Sequence, residues 1–290
     1  MNMANRSQDA GVGWSFLRSK RWLGYFTLLL VFSIVSALLG NWQFARRAEA
    51  RAEIARVDAN YDAAPVPVNE VVAPGVSFDE NQMKWRPVLL QGRYVGEPVL
   101  ARNRPGLGAV GSNIIHPFLT ETGDVMFIDR GWTDVSAKEA NDAVLPQPPD
   151  GLVTVIARLR ESEPSISGRS SAGNTVASIN GEELASLTGT TDSAITSAYG
   201  QLISEEPSAE TGVLAQRPVR DEGPHLSYAL QWYVFILIAL IGFGYAARLE
   251  YRNLNAASEA VQNADSRRAA RSARRKPSDA DEEDALLNQV

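Results

Sequence analysis

Two stretches of this 290-residue sequence, 22–45 and 226–247, contain no charged side chain. A helix needs about 20 apolar residues to cross a hydrocarbon layer of roughly 30 Å, and both stretches reach that length. A buried core helix is the alternative, but soluble helices of such length carry a polar face, and these do not. The pattern predicts two membrane-spanning helices. The first could instead be a secretory signal, with Arg18, Lys20 and Arg21 as its basic leader. Its apolar run is longer than a signal core, and no small-x-small cleavage site precedes Asn41, so an uncleaved anchor is expected. Trp22 and Trp42 bracket it at the level where amphipathic rings meet headgroups.

Between the spans the pattern changes. Helical character continues past Gln43, where Trp42, Arg46, Glu49 and Glu53 fall on one face and Arg46 is placed to pair with Glu49; a solvated stalk accounts for the same residues. Pro65 and Pro67 end that helix. After a linker to Gln82, strands are expected at 86–95, 99–104, 112–119, 125–132, 152–160, 175–179, 199–205 and 213–220. Gly96-Glu97 and Thr122-Gly123-Asp124 supply hairpin turns, and 181–187 reads as a short helix. The runs around Pro146, Pro148 and Pro149 and from Ser165 to Gly173 read as loops. Carboxylates such as Asp129, Asp134, Glu139, Asp142, Asp150, Glu161 and Glu163 read as a solvated surface.

The expected fold class is therefore a membrane protein with two transmembrane α-helices flanking an extracytoplasmic α+β domain dominated by antiparallel β-strands. The divisions are a cytoplasmic N-terminal segment (1–21), the first membrane helix (22–42), a helical stalk (43–64), the β-rich domain (65–224), the second membrane helix (225–247) and a charged tail (248–290). Two crossings put both termini on one side. Arg18, Lys20 and Arg21, with Arg248, Arg252, Arg267, Arg268, Arg271, Arg274, Arg275 and Lys276, favour the cytoplasm for them. Arg46, Arg47, Arg51 and Arg56 argue the other way, but they lead into a long domain, where the charge rule loses force. The tail turns acidic at Asp279 and 281–284 and has few apolar residues beyond Leu254, Val261, Leu286 and Leu287, so disorder is expected there. Its basic half suits an anionic lipid surface.

Composition excludes several chemistries. With no Cys there are no disulfides, thiolate metal sites or cysteine nucleophiles, and Cu(I) delivery loses its soft ligands. A net charge of −6 gives no electrostatic footing for nucleic acid. No Walker loop, His-Glu-x-x-His or Gly-x-Ser-x-Gly motif is present, and Gly106-x-Gly108 lacks a strand-to-helix setting. The carboxylates Asp129 and Asp134 do not make a case for acid–base catalysis, so no enzyme is expected.

His225, at the mouth of the second span, is more informative. Tyr228 and Trp232 share its helical face, and an imidazole beside aromatic rings suits axial ligation of a haem that enters from the membrane. An interfacial capping histidine within an ordinary aromatic belt explains the same residues. Asn103, Arg104, Arg130 and Trp132 close predicted strands; Arg130 either grips a carboxylate such as a haem propionate or is a strand-end arginine beside a packing tryptophan.

Several short motifs occur in order: Gly40-Asn41-Trp42-Gln43 followed by Arg46-Arg47, then Trp85-Arg86-Pro87-Val88, Gly92, Arg102-Asn103-Arg104, Gly111, Pro117-Phe118, Asp129-Arg130-Gly131-Trp132, and His225-Leu226-Ser227-Tyr228-Ala229-Leu230-Gln231-Trp232. From about Trp22 to Arg248 the chain thereby resembles the surfeit-locus family, the assembly factors of haem-copper cytochrome c oxidase. The resemblance implies a cell-membrane protein of the respiratory chain that aids supply or insertion of haem a into oxidase subunit I, with the haem a synthesis machinery as a partner. It implies a transient haem a contact at His225, and it leaves self-association open. The Ser/Gly-rich segment 165–174 and the charged tail depart from the family pattern. A haem-independent chaperone or scaffold for an oxidase subunit is the alternative, and a general envelope scaffold, such as a division or transporter adaptor, is a third.

Overall fold

The computed structural model of the chain describes residues 13–136, 144–169, 171 and 173–273. Glu139, Asp142, the leader up to residue 12 and the tail from Arg274 onward, including the acidic run and Leu286 and Leu287, lie outside the described residues.

In chain order the elements are α1 (Lys20–Asn60), β1 (Val66–Pro67), α2 (Glu80–Met83), β2 (Pro87–Tyr94), β3 (Val99–Gly106), β4 (Ala109–Thr120), β5 (Val125–Thr133), β6 (Val153–Glu161), β7 (Thr175–Val176), α3 (Gly181–Thr188), β8 (Ala198–Glu206), α4 (His225–Leu254) and α5 (Glu259–Ala273). Local chemistry sets most boundaries. Asp79 caps α2 by accepting the amides of Asn81 and Gln82, and Asn180 caps α3 through the amide of Glu183. The left-handed Gly189 ends α3. Gly108, at φ +80°, makes the β3–β4 turn, which is the actual use of the Gly106-x-Gly108 spacing. The chain divides into two compact units: the described residues up to Ala48 together with those from Gly223 on, and Glu49–Glu222.

In the unit Glu49–Glu222 every neighbouring pair in the series β2, β6, β8, β5, β4 is hydrogen-bonded, and β4 returns to β2. Five strands therefore close a ring, a small barrel without open edges along that circuit. Closure needs Gly92: a Cβ there would stand 2.1 Å from the Leu119 carbonyl oxygen across the seam. Leu90, Phe118, Met126, Ile128, Val155 and Leu159 belong to one buried core cluster. A second cluster, including Val99, Ile115, Phe127, Ile179, Leu184 and Tyr199, packs α3 onto the sheet.

The sheet is mixed rather than wholly antiparallel: β1–β2, β3–β7 and β5–β8 run parallel. The β3–β4 and β4–β5 hairpins join sequence neighbours and are antiparallel; the hairpin expected at Gly96-Glu97 is not formed, because β2 pairs with β1, β6 and β4 and not with β3. β8, which follows the long connection through α3, inserts between β6 and β5 and cannot be antiparallel to both. The strand expected at 213–220 is not formed; Val213 makes a single bridge with Trp132. Beyond it the chain is held by side chains, with Arg217 3.5 Å from Asp58 and Arg220 3.1 Å from Asp58. The lower part of α1 is likewise fastened. Trp85 donates to Glu53 at 2.8 Å, and the Arg158 guanidinium lies 3.6 Å from the Tyr61 ring centre. The expected stalk residue Glu53 is thus bound to the domain.

In the other unit α1 and α4 pair antiparallel. Trp22 meets Phe243 edge-on at 5.5 Å, and Tyr233 lies over Gly40, where a Cβ would come within 2.8 Å of the ring. Tyr233 also donates to Asn41 at 3.0 Å. Large apolar side chains on both helices, such as Leu28, Leu38, Leu237 and Ile241, are exposed. The tail, expected to lack order from Arg248, is helical in its described part: α4 runs to Leu254, and the alanine-rich α5 follows.

Candidate functional site

The sequence singles out the start of α4 and the end of β5, and the structure separates their roles. Gly223, at φ +67°, and Pro224 break the preceding chain and let α4 begin at His225. Ser227 returns a hydrogen bond to the Pro224 carbonyl at 2.7 Å. His225 is half-buried, and its Nδ1 lies 2.8 Å from Oε1 of Gln43 on α1. The amide oxygen is an acceptor, so Nδ1 donates the hydrogen of this bond; in the neutral ring that tautomer leaves the lone pair on Nε2. Nε2 forms no hydrogen bond among the described residues. It lies beside Gly223, where a Cβ would come within 3.2 Å of it. Histidines that ligate metals are oriented in this way, through their second nitrogen.

Tyr228 and Trp232 follow on the same helix, as expected. Tyr228 is exposed, and Trp232 is half-buried and edge-on to Phe235 at 5.8 Å. Trp42 is exposed on α1. Gln43 is the residue that sequence reasoning missed. Its only signal was its place in the Gly40-Asn41-Trp42-Gln43 motif; that the motif faces His225 follows from helix pairing alone. Gly40 and Asn41 accommodate Tyr233, and this packing brings Gln43 level with His225.

Arg130 is elsewhere and does something else. Its side chain is fully buried in the β-domain and paired with Glu205, Nη2 to Oε1 at 2.6 Å and Nε to Oε2 at 3.3 Å. Nη1 donates to the Pro146 carbonyl and Nη2 to that of Glu210. Tyr94 donates to Glu205 at 2.7 Å, with its ring 5.3 Å from the guanidinium. Burial, then the Glu205 contact, raises the Tyr94 phenol well above its usual range. The expected propionate grip at Arg130 is therefore corrected: its fork is already spent on an internal carboxylate and backbone carbonyls. Nearby His116 is buried, and burial followed by the Arg130 charge lowers its pKa to about 4.

The other strand-end candidates are also structural. Arg104 pairs with Glu163, and Trp132 donates to the Arg104 carbonyl at 2.9 Å. Asn103, at φ 62°, sits in the bulge of β3. Asp129 is buried and accepts from Asn113 and Gly131; burial, the largest influence, raises its pKa.

These features define a class: a small β-barrel domain flanked in sequence by two long apolar helices that carry an oriented imidazole. The SURF1 family model matches residues 30–237, and this chain belongs to the SURF1 family. It is similar to the uncharacterised SURF1-like proteins of Mycobacterium bovis and Mycobacterium tuberculosis, at 32% identity over 82% of this chain and 88% of theirs. The family is linked in general with cytochrome c oxidase assembly.

Proposed function

We propose that this protein is an assembly factor for haem-copper cytochrome c oxidase that holds haem a transiently and presents it to subunit I. The observation that carries the reading is the His225–Gln43 pair, an imidazole with one nitrogen anchored and the other without a hydrogen-bond partner among the described residues. The donor set fits a haem: a single neutral imidazole ligates iron, while the exposed Tyr228 and half-buried Trp232 offer ring faces to a flat macrocycle. One axial ligand suits a cargo that must be released. The protein then works by binding and positioning, without turnover, and takes its cargo from the haem a synthesis machinery.

In this reading α1 and α4 cross the cell membrane. Both are long and apolar enough, and their exposed leucines and isoleucines are what lipid accommodates and water does not. Both termini are cytoplasmic and the barrel extracytoplasmic, in keeping with Arg18, Lys20, Arg21, Arg248 and Arg252, which flank the spans on the side of the chain termini.

The test is purification of the full chain in detergent after co-expression with haem a synthesis. A Soret band is expected, and His225→Ala should abolish it while leaving thermal unfolding unchanged. A folded wild-type protein free of haem would instead leave the haem-independent chaperone. Loss of the gene should lower oxidase haem a content and spare other envelope complexes. Protease added to intact spheroplasts should cut the barrel domain; protection of that domain refutes the topology.

A further inference from the structure

We propose that the far end of α4, where it meets α5, forms a binding site for the phosphate headgroup of an anionic phospholipid. The inference rests on the membrane placement above and is independent of haem. The charge-free stretch of α4 ends at Ala247, and Arg248 follows at once. A turn then brings α5 alongside. Asn255, buried, accepts the Gly13 amide at 2.9 Å and donates to the Tyr251 carbonyl at 2.8 Å. Arg252 reaches across to Asp265 at 2.6 Å, and Val261 is buried against the same corner.

The turn borders an open pocket of about 1170 Å³ whose wall includes Arg248, Arg252, Arg267, Arg268 and Arg271. Among the described residues Asp265 is the only carboxylate that lines it, and it is paired with Arg252. Arg248, Arg267, Arg268 and Arg271 have no ion-pair partner among the described residues. Converging guanidinium forks without counter-charge select phosphate oxygens, which they meet bidentately. The remaining wall selects a lipid over free phosphate. Trp14 stacks on Tyr251 at 4.4 Å, a pair of amphipathic rings of the kind found at headgroup level, and Gly244 and Val261 continue the wall toward the apolar helix. The pocket is also far larger than one phosphate ion needs, and basic pockets at the cytoplasmic ends of membrane helices take such headgroups.

The experiment is native mass spectrometry of the full chain, extracted from membranes, delipidated and titrated with phosphatidylglycerol or phosphatidylcholine. Phosphatidylglycerol should bind at least about tenfold more tightly. The triple variant Arg267→Ala, Arg268→Ala, Arg271→Ala should lose that preference while unfolding at the same temperature. Equal binding of the two lipids by the wild-type chain overturns the proposal. So does a preference that emerges only when residues 277–290 are removed, because the acidic end of the chain would then be the true occupant. A chain found outside the membrane fraction would refute the membrane placement first, which separates the two failures.

Discussion

Arg130 and Glu205 make the sharpest energetic prediction. Both side chains are sealed in the β-domain, 0% and 3% exposed, and Glu205 also takes the Tyr94 hydroxyl. Arg130→Met keeps the bulk but strands a buried carboxylate and leaves the carbonyls of Pro146 and Glu210 without their donor. Removing one partner of a buried pair costs about 3–5 kcal/mol. Glu205→Met strands the cation and should cost a similar amount. The double variant leaves neither charge unpaired; what remains is the unsatisfied Tyr94 hydroxyl and the Pro146 and Glu210 carbonyls, neutral groups worth about 1–3 kcal/mol each when fully desolvated. Urea unfolding of the full chain in detergent, followed by tryptophan fluorescence, should therefore show a strong favourable coupling in the double-mutant cycle. Haem content per folded molecule should be unchanged in Arg130→Met. A single variant within about 1 kcal/mol of wild type, or a double variant as costly as the sum of the singles, would refute the assignment of Arg130 as an internal strut.

Gln43→Leu should weaken the haem signal by about 10–100-fold, the usual effect of removing the partner that orients a ligating histidine, with no loss of fold; unchanged haem titration would break the link between Gln43 and His225. Gly40→Leu forces a side chain into the Tyr233 ring, should cost about 1–3 kcal/mol, and should lower haem content by shifting Gln43, as read by thermal unfolding and the Soret band together. His116 has a folded pKa of about 4 against 6.5 unfolded, so the unfolded chain takes up the proton first. Its contribution is intact above about pH 6.5 and is lost as pH falls toward about 4, by up to roughly 3 kcal/mol. Urea midpoints at about pH 7 and about pH 4.5 should differ less in His116→Leu than in wild type; an identical pH dependence counts against the burial argument.

Short-range pattern carried what was legible in the sequence. Charge-free runs long enough for α1 and α4, alternation along β6, the Gly123 turn of the β4–β5 hairpin and the helical spacing of His225, Tyr228 and Trp232 are all set within a few residues of chain. What escaped it is non-local. A strand cannot announce its neighbours, so neither the insertion of β8 between β6 and β5 nor the seam at Gly92 could be read from alternation. Residues 213–220 have strand composition but are held by ion pairs to Asp58 instead of a ladder.

The same division runs through the candidate site. The sequence by itself determined that a histidine and two aromatics open the second apolar helix, because helical periodicity is a property of one segment. Only tertiary structure decided that Gln43 would orient that histidine and that Arg130 would be closed to any ligand. Each depends on a partner 182 or 75 positions away, and such meetings are fixed by packing, not by local propensity.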